Sequence, residues 1–418
     1  ALLVANDYRR YNYTPYVYKT TNYGKSWERI VDENDVFGYA LSIVEDIETE
    51  RLLFLGTDDG LYYSVDAAAN WTKFDSKVFP TVSTKDLVIH PREHDLVIGT
   101  FGRAAWVMDD IRPLRALAQN PELIVKESHI FNPPTAYLAA YQQPTGSRFG
   151  GDALYNAENR KYGSMFTYFY KATDEKNKDS LTLKIYDGER QIRTLKTKAP
   201  KKTGFHRWYW SMNEKGVNRP SRSNRTEKSE PRGVTVKPGT YKVVLESNNS
   251  TSETEVTVKT DPRFEISQKA IDDRYIYTKK IESFTELAAA AVDQLKSSKK
   301  TLAVYKNKIE EKDKEANKEL LETIDEHSKK IEDILSSFIG KEDKRQGIVR
   351  NPENSVAKRI SSANRYVRSR PTGITATEEK LLEHLRKDLK TSLDQTNSYY
   401  GEQWGVIKAQ IEAIEFSE

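Results

Sequence analysis

Two stretches of the chain, Thr20-Thr21-Asn22-Tyr23-Gly24-Lys25-Ser26-Trp27 and Ser64-Val65-Asp66-Ala67-Ala68-Ala69-Asn70-Trp71, repeat the same residue types at the same spacing 44 residues apart. A hydroxyl residue, Asn or Asp two positions on, a small residue two further and Trp three beyond that is the spacing of an Asp-box turn. Its short polar side chains bond the turn's own amides, the small residue permits a positive φ, and the Trp is expected to fold back into the sheet below. Thr20, Asn22, Gly24, Trp27, Ser64, Asp66 and Trp71 are therefore read as structural, with both indoles mostly buried at equivalent positions.

The flanking strands repeat too. Leu52-Leu53-Phe54-Leu55-Gly56-Thr57 recurs 43 residues on as Asp95-Leu96-Val97-Ile98-Gly99-Thr100, and Gly60-Leu61-Tyr62-Tyr63-Ser64 lines up with Arg103-Ala104-Ala105-Trp106-Val107. Short strands and turns with a period of about 40–50 residues mark the blades of a β-propeller. Residues 1–112 hold about two and a half such units, short of the roughly four to eight that close a propeller and hide its strand edges. The opening Ala1-Leu2-Leu3-Val4-Ala5 has no initiator Met and is expected to pair with Val17-Tyr18-Lys19. The chain is thus read as the C-terminal part of a longer polypeptide. The remaining blades, upstream on the same polypeptide or on a separate chain, are its expected partner.

Sixty-six basic and 62 acidic residues leave a net charge of +4 over 418 residues, a balance that does not point to nucleic acid. No apolar run approaches the roughly 20 residues that span a bilayer. The absence of Cys excludes disulfides and thiol chemistry. The 24 Tyr and six Trp are a bias of all-β surface proteins that recognise glycans or other proteins.

The propeller pattern ends near Ile111-Arg112-Pro113, and residues 113–160 read as a linker rich in Pro, Gly and Asn. From 161 to 262 alternation returns in six runs: Phe166–Tyr170, Leu181–Tyr186, Gln191–Leu195, His206–Trp210, Thr240–Leu245 and Thr254–Val258. Their rhythm predicts an immunoglobulin-like β-sandwich. The polar stretch Gly216–Arg232, with Arg219, Arg222, Arg225 and Arg232, reads as a solvated loop. Residues 263–418 carry Leu and Ile at intervals of three and four with Lys and Glu between them, which predicts an antiparallel helical bundle. In it, Lys296, Lys299 and Lys300 are expected to stay in water, and Thr375-Ala376-Thr377-Glu378-Glu379 opens a helix with an acidic first turn. The fold class is thus multidomain, mainly β and then α: a partial propeller, a sandwich and a helical domain.

With Tyr18–Trp27, Gly99–Ile111, the Pro238-Gly239-Thr240-Tyr241 turn and the Asp261-Pro262-Arg263 exit, the order of parts resembles the C-terminal half of bacterial sortilin-like (VPS10-type) or BNR-repeat propeller proteins. The resemblance implies an upstream propeller portion and a secreted or bacterial cell-envelope location. It implies little about chemistry. Ala68 departs from the family pattern, where Gly is usual, which predicts a distorted second turn.

An Asp-box propeller that acted as a sialidase would need three Arg on the substrate carboxylate, a Tyr nucleophile with its Glu, and an Asp acid. Arg103 follows Gly102 at a strand start, and Arg9 and Arg10 lie in a Tyr-rich insertion with Tyr11 and Tyr13. These five are the candidate binding residues, and no catalytic residue is assigned. His90 and His94 flank Pro91 in a turn, so no metal site is read there, and no cofactor motif occurs. Asp109-Asp110 reads as a cap on the next turn rather than a cation site. The favoured function is a non-catalytic extracellular or envelope protein whose propeller presents a protein, peptide or glycan binding surface within a larger polypeptide or complex. The alternatives are a sialidase-like glycoside hydrolase with its catalytic residues on missing blades, and an accessory subunit of a surface peptide- or protein-handling complex.

Overall fold

Alternating apolar residues at the start of the chain make one face of β1 (Leu2–Asp7), β2 (Asn12–Lys19) and β3 (Glu28–Val31) oily, and the three strands form an antiparallel sheet. Val4 stands opposite Val17, and Val17 opposite Val31, so the expected pairing of the first strand is found. The computed structural model describes residues 1–139, 160–172, 179–223, 229–341, 354–370 and 372–414. It has mixed β and α content, with six sheets among the described residues and a C-terminal helical region. The chain divides into a sheet unit (Ala1–Gln191, Leu195–Ser211 and Gly239–Lys259) and a helical unit (Ile192–Thr194, Met212–Pro238 and Thr260–Glu418).

Within the sheet unit, β4 (Ala40–Glu45), β5 (Leu53–Thr57), β6 (Gly60–Ser64) and β7 (Thr72–Lys73) form a second sheet. A third is built from β8 (Thr84–Ile89), β9 (Leu96–Thr100) and β10 (Ala105–Met108). The three sheets stack. Val17 and Val31 of the first share a core with Leu55 and Tyr62 of the second. Phe54 and Leu61, on the second sheet's other face, share a core with Leu87, Leu96 and Ile98 of the third.

Residues 113–139, inside the stretch expected as a linker, hold helix α1 (Arg112–Gln119) and the short strands β11 (Ser128–Ile130) and β12 (Ala136–Leu138). All six runs expected as strands between 161 and 262 are strands: β13 (Ser164–Tyr170), β14 (Ser180–Asp187), β15 (Arg190–Lys198), β16 (Gly204–Trp210), β19 (Gly239–Glu246) and β20 (Thr251–Thr260). They form two sheets, ordered β11-β13-β16 and β12-β20-β19-β14-β15. Trp210 of one meets Tyr241 of the other edge-on at 5.6 Å. Burial beside Tyr170 pushes the Tyr168 phenol up to about 12.

In the helical unit, β17 (Asn213–Lys215) and β18 (Arg232–Thr235) make a hairpin. A Cβ on Gly216 would lie 2.5 Å from the Arg232 carbonyl oxygen, so glycine alone lets the two strands approach. Helix α2 (Gln268–Asp313) runs 46 residues from a Ser267 cap, whose hydroxyl accepts from the Ala270 amide at 3.2 Å. After a short turn comes α3 (Lys318–Ile339). Lys306 pairs with Asp325 and Lys299 with Glu332, seven residues back on one helix and seven on along the other, so the two run antiparallel. Then come α4 (Val356–Ser369), α5 (Ala376–Ser398), which starts where expected and is opened by a Thr375–Glu378 capping box that the sequence reading did not name, a π-helical turn (Tyr399–Trp404) and α6 (Gly405–Glu412). Ile281, Val292, Leu302, Ile331, Leu385 and Ile407 represent the apolar stripes these helices bury together.

The structure corrects three expectations. Lys296 and Lys299 are half-buried rather than free in water: Lys296 donates to the Ser221 and Ser223 carbonyls at 3.2 and 3.0 Å, and Lys299 is held by Glu332 at 2.7 Å. The Gly216–Arg232 stretch is not wholly a solvated loop, because Arg222 bonds Glu332 at 2.7 Å and the Gly340 carbonyl at 2.6 Å. Arg225 lies outside the described residues. The third correction is Trp27, 44% exposed, whose indole folds over its own Gly24 instead of into a neighbouring sheet.

Candidate binding surface

The stack of three sheets has two chemically different ends, and connectivity fixes which residues fall on each. At one end lie the repeated turns. The Thr20 hydroxyl accepts from the Gly24 amide at 2.9 Å, as the Ser64 hydroxyl does from Ala68 at 2.9 Å. Asn22 Oδ1 accepts from the Ser26 amide, and Asp66 Oδ1 from the Asn70 amide, both at 2.9 Å. Burial works against the Asp66 carboxylate, but hydrogen bonds from Asn70 and Ser64 outweigh it and hold the carboxyl below its ordinary value.

The expected distortion at Ala68 is not found. Tyr23 and Gly24 have φ of 59° and 84°, and Ala67 and Ala68 have 62° and 73°. The side-chain bonds hold alanine in a conformation that glycine adopts freely. The two indoles differ instead. Trp71 is half-buried, short of the expected burial, and packs against the core that Val17, Val31 and Leu55 form between the first and second sheets.

Also at this end, α1 drives Arg115 between two turns. Its guanidinium grips Asp46 through two bonds of 2.7 and 2.6 Å and reaches Glu48 at 2.8 Å and His94 Nδ1 at 3.3 Å. Both Arg115 and Asp46 are buried, and through Asp46 on one side and His94 on the other Arg115 bridges the β4–β5 and β8–β9 turns. Just before α1, Asp110 Oδ1 accepts from the Arg112 amide at 3.3 Å, while Asp109 accepts from Arg160 at 3.1 Å. His90 Nδ1 accepts from the Glu93 amide at 3.1 Å, closing its own turn.

The opposite end carries the β1–β2, β5–β6 and β9–β10 turns, joined by a continuous run of contacts. Tyr8 stacks on Tyr39 at 4.9 Å, and Tyr13 tilts over the same ring at 6.1 Å. The Asp58 amide donates to the Tyr39 carbonyl at 3.2 Å, Ser83 Oγ donates to the Asp58 carbonyl at 3.3 Å, and the Phe101 amide donates to the Ser83 carbonyl at 2.9 Å. Lys85 Nζ lies 5.8 Å over the Phe101 ring.

Arg9, Arg10, Tyr11 and Tyr13 therefore sit at the first turn and Arg103 at the third, with the second sheet's turn between them. Tyr11 is 86% exposed with φ of 63°, a left-handed conformation that costs a non-glycine residue roughly 1–2 kcal/mol. The turn itself requires it: Tyr11 ends the 3-10 turn Tyr8–Arg10, its amide donating to the Tyr8 carbonyl at 3.0 Å. Two carboxylates of this end are turned inward, Asp59 taken by Lys73 and Asp58 raised above its ordinary value by burial against Gly38, while Glu33, Asp35 and Asp86 are exposed and Asp7 faces Arg10 at 3.8 Å. Tyr39, Phe37 and Phe101 join this end without having been expected there. Aligning Phe101-Gly102-Arg103 with Tyr8–Tyr11 as tips of equivalent hairpins would have found Phe101.

Comparison with known proteins agrees with the β-rich part of this picture. The Sortilin-Vps10 family profile (sortilin, neurotensin receptor 3) matches residues 16–111, the span from β2 to the start of α1. The match and the sheets together support a sortilin-like β-rich fold there. Among solved structures, the extracellular domain of the putative one component system BT4673 from B. thetaiotaomicron aligns at 9% identity with a TM-score of 0.18, over 62% of this chain and 31% of that one. This chain thus spans about a third of that protein's length. No curated protein matches it. No helix among the described residues is long and apolar enough to cross a membrane.

Proposed function

We propose that the chain is a non-catalytic binding or assembly protein, secreted or in the cell envelope. In this reading its first three sheets are Asp-box propeller blades that belong to a larger polypeptide or complex. The two sheets built around β13 and β19 form an immunoglobulin-like brace, and the stack presents a surface to a protein, peptide or glycan.

One observation carries the reading: the stack is open on both outer faces. On the third sheet Val88, Val97 and Val107 stand in one row across the strands, all exposed. On the first sheet Leu3 and Trp27 are exposed as well. Sheets of this kind are ordinarily covered, since apolar faces and free edges promote association. The match to the sortilin family over residues 16–111 supports the same conclusion.

Native mass spectrometry and light scattering on the purified protein test it. The expected result is a species heavier than 48.0 kDa, or association with a further blade-bearing chain or segment. A stable, monodisperse 48.0 kDa monomer with nothing bound overturns the proposal.

A further inference from the structure

Helix α2 carries two rows with heptad spacing, and its own unit covers only one of them. Ile281, Leu302 and Ile309 are buried with the other helices. The second row is Ser283, Leu287, Ala290, Gln294, Ser297, Thr301 and Val304, at intervals of four and three, and every member is exposed. None of them is charged, in a chain where 31% of residues are. Leu287 and Val304 are 51% and 47% exposed. Intervals of four and three sustained over three heptads are those of a coiled-coil seam. On one flank of the seam, Phe284, Ala291 and Tyr305 pack on the unit's own core and Ser298 bonds Tyr400 at 2.8 Å. The other flank, Glu286, Asp293, Lys300 and Asn307, is exposed.

The charges beside the seam say what lies on it. Two copies of α2 laid antiparallel about a two-fold axis pair their seam positions, each pair made twice. In one register Leu287 meets Val304 of the second copy, Ala290 meets Thr301 and Gln294 meets Ser297. The exposed flank then sets Asp293 against Lys300, Glu286 falls beside Asn307 and Lys308, and at the helix ends Lys280 meets Glu311. Lys279, which comes opposite Lys314, is already held by Glu214 and Glu282 at 2.8 and 3.1 Å. Sliding one copy by a heptad in either direction sets Lys300 against Lys300 or Asp293 against Asp293, and parts Leu287 from Val304. Parallel copies would bring Asp293 and Lys300 opposite Ser298 and Tyr305, where neither gains a counter-charge. We propose that this face of α2 is a homodimer interface, in which two copies of the chain pair antiparallel with Leu287 on Val304 and Asp293 on Lys300. The inference concerns the helical unit and is independent of the reading of the sheets as a binding platform.

The chain has no Cys, so cross-linking of the full chain reads the register directly. Ala290→Cys, Thr301→Cys and the double variant are each oxidised mildly. In the proposed register a single introduced thiol lies eleven positions, roughly 16 Å at 1.5 Å per residue, from its own symmetry mate. In the double variant each thiol faces one on the second copy. A disulfide needs Cα atoms within about 7 Å, so the double variant should form at least about fivefold more covalent dimer than either single variant. In sedimentation equilibrium, Asp293→Lys is expected to weaken self-association about tenfold or more, and adding Lys300→Asp to restore it. Leu287→Ser with Val304→Ser is expected to weaken it as well. Far-ultraviolet circular dichroism should be unchanged in each.

Absence of self-association in the parent chain, equal cross-linking by a single variant, or failure of Lys300→Asp to rescue Asp293→Lys overturns the inference. Light scattering on the Leu287→Ser, Val304→Ser variant keeps the two proposals apart. If that variant still exceeds 48.0 kDa and no register-specific cross-link forms, only this inference falls. If the cross-link forms and that variant is a lone 48.0 kDa monomer with nothing bound, the sheet platform falls and the α2 interface stands.

Discussion

Strands β5 and β9 are near-copies, Leu-Phe-Leu-Gly-Thr and Leu-Val-Ile-Gly-Thr, each central in its own sheet. All five residues of β5 are buried, whereas β9 alternates. Phe54 is 0% exposed and its counterpart Val97 is 36% exposed. The cause is the neighbourhood. Leu55 faces the first sheet and Phe54 the third, while in β9 Leu96 and Ile98 face the second sheet and Val97 faces outward. A strand covered on both faces is apolar throughout, and one covered on a single face needs only every second residue. The same local sequence thus serves as an interior or a boundary layer according to what packs on it.

The largest expected effect comes from the clamp between those two sheets. Arg115→Ala leaves Asp46 buried without its partner and should destabilise the sheet unit by roughly 3–5 kcal/mol in chemical denaturation. A loss below about 1 kcal/mol would show that the turns are held together by apolar packing alone. The strand comparison comes next. Phe54→Ala should cost roughly 3–5 kcal/mol and Val97→Ala less than about 1 kcal/mol. Equal losses would mean that the face of the third sheet is covered in solution, which would itself reveal an occupant.

The repeated turns supply a finer contrast. Trp71→Ala is expected to cost roughly 2–4 kcal/mol and Trp27→Ala nearer 1 kcal/mol, since only the Trp71 indole packs against a shared core. Binding of a further sheet against β1–β3 should raise the Trp27 value toward that of Trp71 and quench its fluorescence differently. The smallest effect concerns Asp66, whose place in the first turn is taken by Asn22. Asp66→Asn should retain most of the turn's bonds and change stability by less than about 1 kcal/mol at neutral pH. The folded carboxyl lies below its ordinary 3.8, so its contribution is present above that pH and is lost as pH falls through the lower folded value. The Asn variant should therefore lose less stability than the parent between pH 5 and acid, about the range in which carboxylates protonate. Identical acid profiles would show that the aspartate is not ionically engaged in the turn.

How much of this is legible in the amino-acid order depends on the range of the interactions. The bonds of the Thr20 and Ser64 turns span two and four residues, and the sequence pattern named the accepting side chains, Thr20, Asn22, Ser64 and Asp66. The strands and the helical stripes were legible for the same reason, since period-two and period-3.6 patterns are local. Arg115 and Asp46 are 69 positions apart, and nothing near either marks it as the other's partner. The exposure of Trp27 was illegible because it depends on a neighbouring sheet rather than on the turn. Ala68 misled for a different reason: glycine's preference for positive φ is a statement about unassisted backbone, and here Ser64 and Asp66 assist. At the candidate surface Arg9, Arg10, Tyr11 and Tyr13 could be found because they are close in the chain, whereas Tyr39 and Phe101 join them only through the stacking of sheets.

Helix α2 sets a different constraint, on how this chain can change its length. At 1.5 Å per residue its 46 residues make a rod of roughly 69 Å, with Ile281, Leu302 and Ile309 on one stripe along it. Inserting one residue near its middle turns everything beyond by about 100° and carries Leu302 and Ile309 off that stripe. Insertions and deletions that survive in related chains should therefore collect in the short turn between α2 and α3, or come inside α2 in whole heptads. The rod works as a ruler: its apolar spacing is a record of permitted lengths, legible wherever two such sequences are laid side by side.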